Sequence, residues 1–222
     1  MQSFSNDCGV VFDLDGTLLD SLSSIAIAMN EALKKLNFEP LLESEYGKII
    51  GRGIDRLISA ALPESHMNKQ DTILECKDLF EICYEECWEA KSSLYPDVPE
   101  ALDFLQKNRV PMAILSNKPD AFVQKIIRHF FSEWDFCSVY GSLEDYPLKP
   151  SPELLFKVVE SMNISMSNIY YVGDTEVDIE LANRASCLSV GALWGFRGKK
   201  LSQKCDMNMA WESILEVKSL LN

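Results

Sequence analysis

The chain lacks any run approaching the ~18 consecutive apolar residues a membrane-spanning helix needs, so a soluble protein with no membrane partner is expected. Its first residues, MQSFSNDCGVVFDLDG, carry neither a basic segment nor a small-residue cleavage site, and no export signal is read there. Positive charge is also in deficit. Lys and Arg number 21 against 34 Asp and Glu, for a formal net charge of −13, and no basic stripe with interleaved aromatics offsets it. Such a surface repels phosphate backbones, which argues against nucleic acid as a partner. Histidine is scarce, with His66 and His129 far apart, and the seven cysteines (Cys8, Cys76, Cys83, Cys87, Cys137, Cys187, Cys205) include no CxxC pair. A zinc site wants four ligands in a compact arrangement and is not expected. An odd, scattered set of cysteines suits a reducing cytoplasm better than a disulfide framework, and their default role is that of small buried apolar residues. Cys76, Cys83 and Cys87, seven and four residues apart beside Phe80 and Tyr84, read as packing on one helix face.

What is present is ordinary globular material: 222 residues, 47% apolar and 25% charged, enough for one large domain or a domain with a smaller insert. Residues 8–14, CGVVFDL, form a short β-rich run ending in acids, the profile of a buried strand whose carboxyl end meets a polar cleft. After residue 92 the pattern alternates. Helix-like PEALDFLQKN (99–108) precedes strand-like VPMAILS (110–116), then helix-like DAFVQKIIRHF (120–130) and strand-like FCSVYG (136–141). A helix over 152–162, a strand over 168–174, a helix through Ala185 and a strand over 187–193 follow. This alternation predicts an α/β fold, a Rossmann-like parallel sheet with helices on both faces, whose ligands sit beyond the strand carboxyl ends. Residues 21–91 break the alternation and read as helical throughout, with Leu22, Ile25, Met29, Leu33 and Leu36 at helical spacing. The division expected is an α/β core of residues 1–20 and 92–222 with an inserted all-α cap over 21–91, hinged near 19–21 and 92–97.

Four short segments carry chemistry. In Asp13-Leu14-Asp15-Gly16-Thr17 two carboxylates follow the first strand, and the glycine permits a sharp turn. A carboxylate with a reference pKa of about 3.9 is ionised at neutral pH, so Asp13 is able to attack phosphorus without an activating base. The acyl phosphate that results needs a second group to manage protons, and Asp15 has the right offset if a dry cleft lifts its pKa. Ser116-Asn117 ends another strand, where a hydroxyl and backbone N–H groups can hold phosphoryl oxygens, although the pair is also common turn chemistry. Lys149 sits beside Pro150 at the start of a helix, either a solvated lysine or a cation positioned to neutralise Asp13 and a phosphoryl group. In GDTEVD after a strand, Asp174 and Asp178 are either helix caps or a carboxylate pair at the strand's end, of which Asp174 meets a cation held by Asp13. Magnesium, which prefers oxygen ligands, suits that site and screens the repulsion between Asp13 and a phosphate.

In this order DLDGT, LSN, LKP and VGDTEVD resemble the haloacid dehalogenase superfamily, over residues 10 to about 194. Within it, YPDVPEALDFLQ and GRGIDRLISAALP look like the phosphoglycolate phosphatase branch. The resemblance implies Asp13 as nucleophile, Asp15 as acid and base with its backbone carbonyl on Mg2+, and Ser116, Asn117 and Lys149 on the phosphoryl group. It further implies Asp174 as a metal ligand, with Asp178 and Thr17 supporting from behind. An aspartate at position 15 disfavours dehalogenation, since dehalogenases of the superfamily do not carry this carboxylate. Arg52, between two glycines in the insert, is the candidate for selecting substrate, either as a guanidinium reaching a carboxylate or phosphate or as the start of a surface helix. It departs from the branch pattern, which has a small polar residue there. The resemblance implies as substrate a small phosphorylated metabolite, a phosphoglycolate-like phosphomonoester. Rival readings are a phosphomutase, a phosphonate or pyrophosphate hydrolase, and a non-catalytic phosphate-binding regulator on the same fold. Phosphonate cleavage in the superfamily uses a cap lysine, for which Lys48 is the nearest candidate. Nothing in the residues separates a monomer from a homodimer.

Overall fold

In the computed structural model, which describes residues 8–221, the chain starts a buried parallel sheet at β1 (Gly9–Phe12). Residues 1–7, where the reading for an export signal begins and which open the expected core domain, lie outside the described residues. β1 is covered on both faces, which explains its uninterrupted apolar run. It pairs in parallel with β4 (Met112–Pro119) on one side and β6 (Ile169–Gly173) on the other, Val10 standing opposite both Met112 and Tyr170. Beyond them lie β5 (Ser138–Ser142) on the β4 side and β7 (Leu188–Ala192) then β8 (Met209–Trp211) on the β6 side. The sheet order β5-β4-β1-β6-β7-β8 changes direction at β1, and such a switch point opens a crevice beyond the strand carboxyl ends.

Period-two alternation divides the core between two faces. Val11, Ala113, Leu115 and Tyr171 pack under α7 (Glu153–Met162) and α8 (Glu176–Ala185). Val10, Phe12, Met112 and Ile114 face α5 (Val98–Lys107), α6 (Asp120–Phe130) and a C-terminal 3-10 helix over Ile214–Leu221. The expected strands and helices are present with ends shifted by a few residues. The largest shift is in β4, which runs on through Asn117 and Lys118 to Pro119, past the end expected near Ser116. The Asn117 side chain holds that stretch extended by bonding the backbone of residue 149 in both directions, at 2.8 and 3.1 Å. Elements with no reading in the sequence include β8, the C-terminal 3-10 helix and the short α9 (Lys200–Lys204) between β7 and β8.

The insert leaves the core through β2 (Leu19–Asp20) and returns through β3 (Ser93–Leu94), which pair antiparallel as a two-stranded ribbon. It is not helical throughout: α1 (Leu22–Lys35), α2 (Glu43–Ile49), α3 (Ile54–Ala61) and α4 (Gln70–Cys87) are separated by irregular turns, the first opened by Asn37 in the left-handed region. Ile25, Met29 and Leu33 of α1 are buried at helical spacing, with the Met29 sulfur 3.9 Å from the Cys76 sulfur on α4. Cys76 and Cys83 are buried free thiols and Cys87 is half-buried, as packing predicts, whereas Cys137 is exposed and does not follow the buried rule. No helix among the described residues is long and apolar enough to cross a membrane.

Candidate active site

The end of β1 is anchored by the Asp13 N–H on the Val172 carbonyl at 2.9 Å. The chain then folds back on itself. The Leu14 carbonyl accepts N–H groups from Leu18 and Leu19, both at 3.0 Å, and the Gly16 N–H returns to Leu19 at 2.8 Å. Gly16 has φ +88°, which favours glycine, and the tight loop carries Asp15 to the mouth of the crevice under the insert.

Four strand or loop ends converge behind Asp13. Lys149 Nζ lies 2.8 Å from Asp13 Oδ1 and 2.7 Å from Asp178 Oδ1, and it also reaches the Tyr171 hydroxyl at 3.1 Å and the Leu115 carbonyl at 3.2 Å. This lysine is a positioned, buried cation. Burial opposes its charge, but the Asp13 and Asp178 carboxylates outweigh that cost and hold its pKa well above that of a free lysine. The second oxygen of Asp178 accepts the Thr175 N–H at 3.1 Å and its hydroxyl at 2.6 Å, so Asp178 joins Lys149 to the start of α8.

Asp174 is fully buried, with Oδ2 accepting the Phe196 N–H at 2.7 Å and Oδ1 left without a hydrogen-bond partner. It is wedged between two glycines: a Cβ at Gly16 would stand 2.5 Å from its Oδ2, and one at Gly195 would stand 2.3 Å from its Cβ. Oxygens of Asp13, Asp174 and Asp178 lie within 4.8 Å of one another. Burial pushes the Asp13 carboxyl up to about 7 against the pull of Lys149, with Asp178 adding repulsion. The same desolvation, reinforced by Asp13 and Asp178, drives Asp174 well above the carboxylate range. An orphan buried carboxylate oxygen among three converging acids fits a hard divalent cation, which would hold these groups ionised. Asp13 and Asp174 are the side chains available to it, because both Asp178 oxygens are engaged. Gly195→Ala is therefore expected to displace Asp174, costing about 1–3 kcal/mol through overpacking and weakening any divalent-cation binding; thermal melts with and without a divalent cation measure both effects.

Ser116 is buried at the cleft, its Oγ accepting the Lys118 N–H at 3.2 Å. The Asn117 side chain is spent on the backbone of Lys149 and on the Gly51 carbonyl, 3.0 Å away in the insert, so it ties core to cap. The Thr17 hydroxyl is buried and unpartnered, and its carbonyl accepts the Trp194 indole N–H at 2.9 Å. The Arg52 side chain is exposed and does not line the cleft, and Lys48 is likewise exposed and absent from its wall.

Sequence reasoning missed several residues. Lys118 Nζ contacts both Asp15 oxygens, at 3.1 and 3.2 Å, and Ser21 Oγ donates to Asp15 at 2.6 Å. The ion pair is almost wholly buried, with side-chain exposures of 6% and 11%. Tyr171, Phe196 and Arg197 were also unread in their present roles. Arg197 donates to the Gly47 carbonyl and, at 2.9 Å, to the Ile50 carbonyl, clasping the end of α2 to the core. No spacing rule marks these residues, although Lys118 directly follows Ser116-Asn117. Above Asp13 and Asp15, the core and the insert together line a cleft of about 60 Å³.

A family model described as haloacid dehalogenase-like hydrolase matches residues 10–192. A protein of Vibrio parahaemolyticus named phosphoglycolate phosphatase is 33% identical over 191 residues, covering 84% of each chain. One of Photobacterium profundum with the same name is 34% identical over 202 residues, covering 88% of this chain and 87% of its own. A crystal structure of a predicted phosphoglycolate phosphatase from Haemophilus somnus superposes with a TM-score of 0.88 at 27% identity, covering 99% of this chain and all 100% of the other.

Proposed function

The chain belongs to the haloacid dehalogenase-like hydrolases, and from that membership we propose that it is a magnesium-dependent phosphatase acting on a small phosphomonoester through a phospho-aspartate at Asp13. The observation that carries this reading is the buried meeting of Asp13, the orphan Asp174 oxygen and the Lys149 ammonium beneath the cavity between core and insert.

An Asp13 oxygen attacks phosphorus, the ester P–O bond breaks, and Asp15 delivers a proton to the departing alkoxide. Lys118 and Ser21 then stabilise the carboxylate left on Asp15. In the second half Asp15 takes a proton from water, whose oxygen displaces the Asp13 carboxylate from phosphorus and releases inorganic phosphate. Lys149 holds Asp13 in line and balances the charge of the transferring group. Ser116 donates to a phosphoryl oxygen, while Asn117 keeps the β4 end and the Lys149 loop at a constant separation. Asp13 and Asp174, with the Asp15 backbone carbonyl, would hold Mg2+, which supplies the positive charge that lets two anions approach. Packing of the insert onto the core through Gly51 and Arg197 keeps stray water out, and the β2–β3 ribbon is the segment about which the cap opens.

The test is phosphate release from 4-nitrophenyl phosphate. Removing divalent metal with a chelator is expected to reduce release to background and added Mg2+ to restore it; turnover that persists in the metal-free protein would overturn the reading.

A further inference from the structure

We propose that Lys118, with the Tyr84 hydroxyl as a second donor, receives a carboxylate carried by the leaving alcohol and so selects phosphate esters of short hydroxy acids. The inference rests on the phosphatase reading above and assigns the residues that read the leaving group. Among the described residues that line the cleft, the only cations are Lys149 and Lys118. Lys149 lies at the phosphoryl end, between Asp13 and Asp178. Lys118 stands two positions beyond Ser116 on β4, a separation of no more than about 7 Å between their Cα atoms, so an anion on its ammonium is a short spacer away from a phosphoryl group held by Ser116. Tyr84 approaches from α4 of the insert. Its ring centroid is 4.5 Å from Lys118 Nζ, and its hydroxyl is buried without a hydrogen-bond partner. An ammonium from the core and an unspent hydroxyl from the insert, both at the cleft, are donors suited to one anionic acceptor.

Lys118 is paired with Asp15. The reaction takes that partner away, because Asp15 must carry a proton when the ester binds and is then neutral. A buried cation without a counter-charge is costly, and a carboxylate on the leaving group restores the balance. An uncharged leaving group does not. Once the ester bond breaks and the Asp15 proton passes to the departing oxygen, Asp15 is again an anion and reclaims Lys118, with Ser21 as its other donor. The hydroxy acid thereby loses its counter-ion and departs, which opens the way for water. Selection thus falls to a lysine of β4 rather than to Arg52, whose side chain is exposed.

The experiment compares kcat/KM of the Mg2+-loaded protein for phosphoglycolate and for isobutyl phosphate, which matches it in shape without the charge. Phosphoglycolate is expected to lead by about 30-fold or more, the scale on which truncating one partner of a buried charge pair acts. Lys118→Met is expected to slow both esters, because Asp15 loses support, and to cut that lead to about threefold or less. A loss shared equally by the two esters would mean that Lys118 serves Asp15 alone, and would overturn the proposal. Tyr84→Phe keeps the ring contacts with Phe80 and Phe122 and removes only the hydroxyl, so it carries the test if Lys118→Met fails to fold or is too slow to assay. It is expected to reduce the lead about tenfold, the scale of a hydrogen bond to a charged group; an unchanged lead would count against the proposal. Hydrolysis of both esters by the wild-type chain with isobutyl phosphate equal or preferred, or release from 4-nitrophenyl phosphate alone, would overturn the proposal and leave the phosphatase reading intact. Failure to hydrolyse either ester or 4-nitrophenyl phosphate would overturn both.

Discussion

Asp13→Asn is expected to lower kcat for an aryl phosphate by about 10⁴–10⁶-fold, the scale on which removal of a nucleophile acts in covalent catalysis. The amide keeps the shape of the side chain and an oxygen able to accept from Lys149, so the loss reports chemistry rather than collapse of the site. What disappears is an anionic oxygen able to form the bond to phosphorus. Rapid quenching after mixing with substrate provides the direct check: the wild-type chain should retain acid-stable label at residue 13 only briefly, and the variant none. Near wild-type release by a folded variant would mean that water, not Asp13, attacks the ester.

Lys149→Met should harm both stability and turnover. The substitution conserves length but leaves Asp13 and Asp178, each at least nine-tenths buried, facing one another without their shared cation. Breaking a buried pair by removing one partner costs about 3–5 kcal/mol, which for a chain of this size lowers Tm by roughly 6–20 °C. The Tyr171 hydroxyl and the Leu115 carbonyl lose a donor as well, although they still bond each other at 3.0 Å. Turnover should fall by about 10²–10³-fold, as when one preorganised donor to a developing charge is removed. A calorimetric scan and a phosphate-release assay separate the two losses. A variant with unchanged Tm would mean that the buried carboxylates are neutral before the lysine is removed.

The roles of these residues are written locally in the chain to different degrees. Asp13, Lys149, Asp174 and Asp178 stood out because each follows a strand or opens a helix, and strands of a parallel sheet all present their carboxyl ends to one edge. Their convergence thus follows from alternation and motif order. Asn117 was legible as a site residue but not as a tie between segments, because its side chain is consumed by backbone from two other stretches of chain, one of them in the insert. Arg52 illustrates the opposite limit. Its flanking glycines suggested a close approach to substrate, whereas it is the backbone there that approaches the core, and the guanidinium is turned outward.

The sequence by itself determined the parallel α/β sheet, the helical insert after the first strand and the chemical types gathered at the sheet's edge, since hydrophobic period and motif order are written in consecutive residues. Only the tertiary structure decided that Lys118 pairs with Asp15 across 103 positions, that the Trp194 indole donates to the Thr17 carbonyl and the Phe196 N–H to Asp174, and that apolar side chains of the insert line the cavity above Asp13 and Asp15. Contacts between segments remote in the chain depend on how the insert docks onto the core, and no local periodicity encodes that geometry.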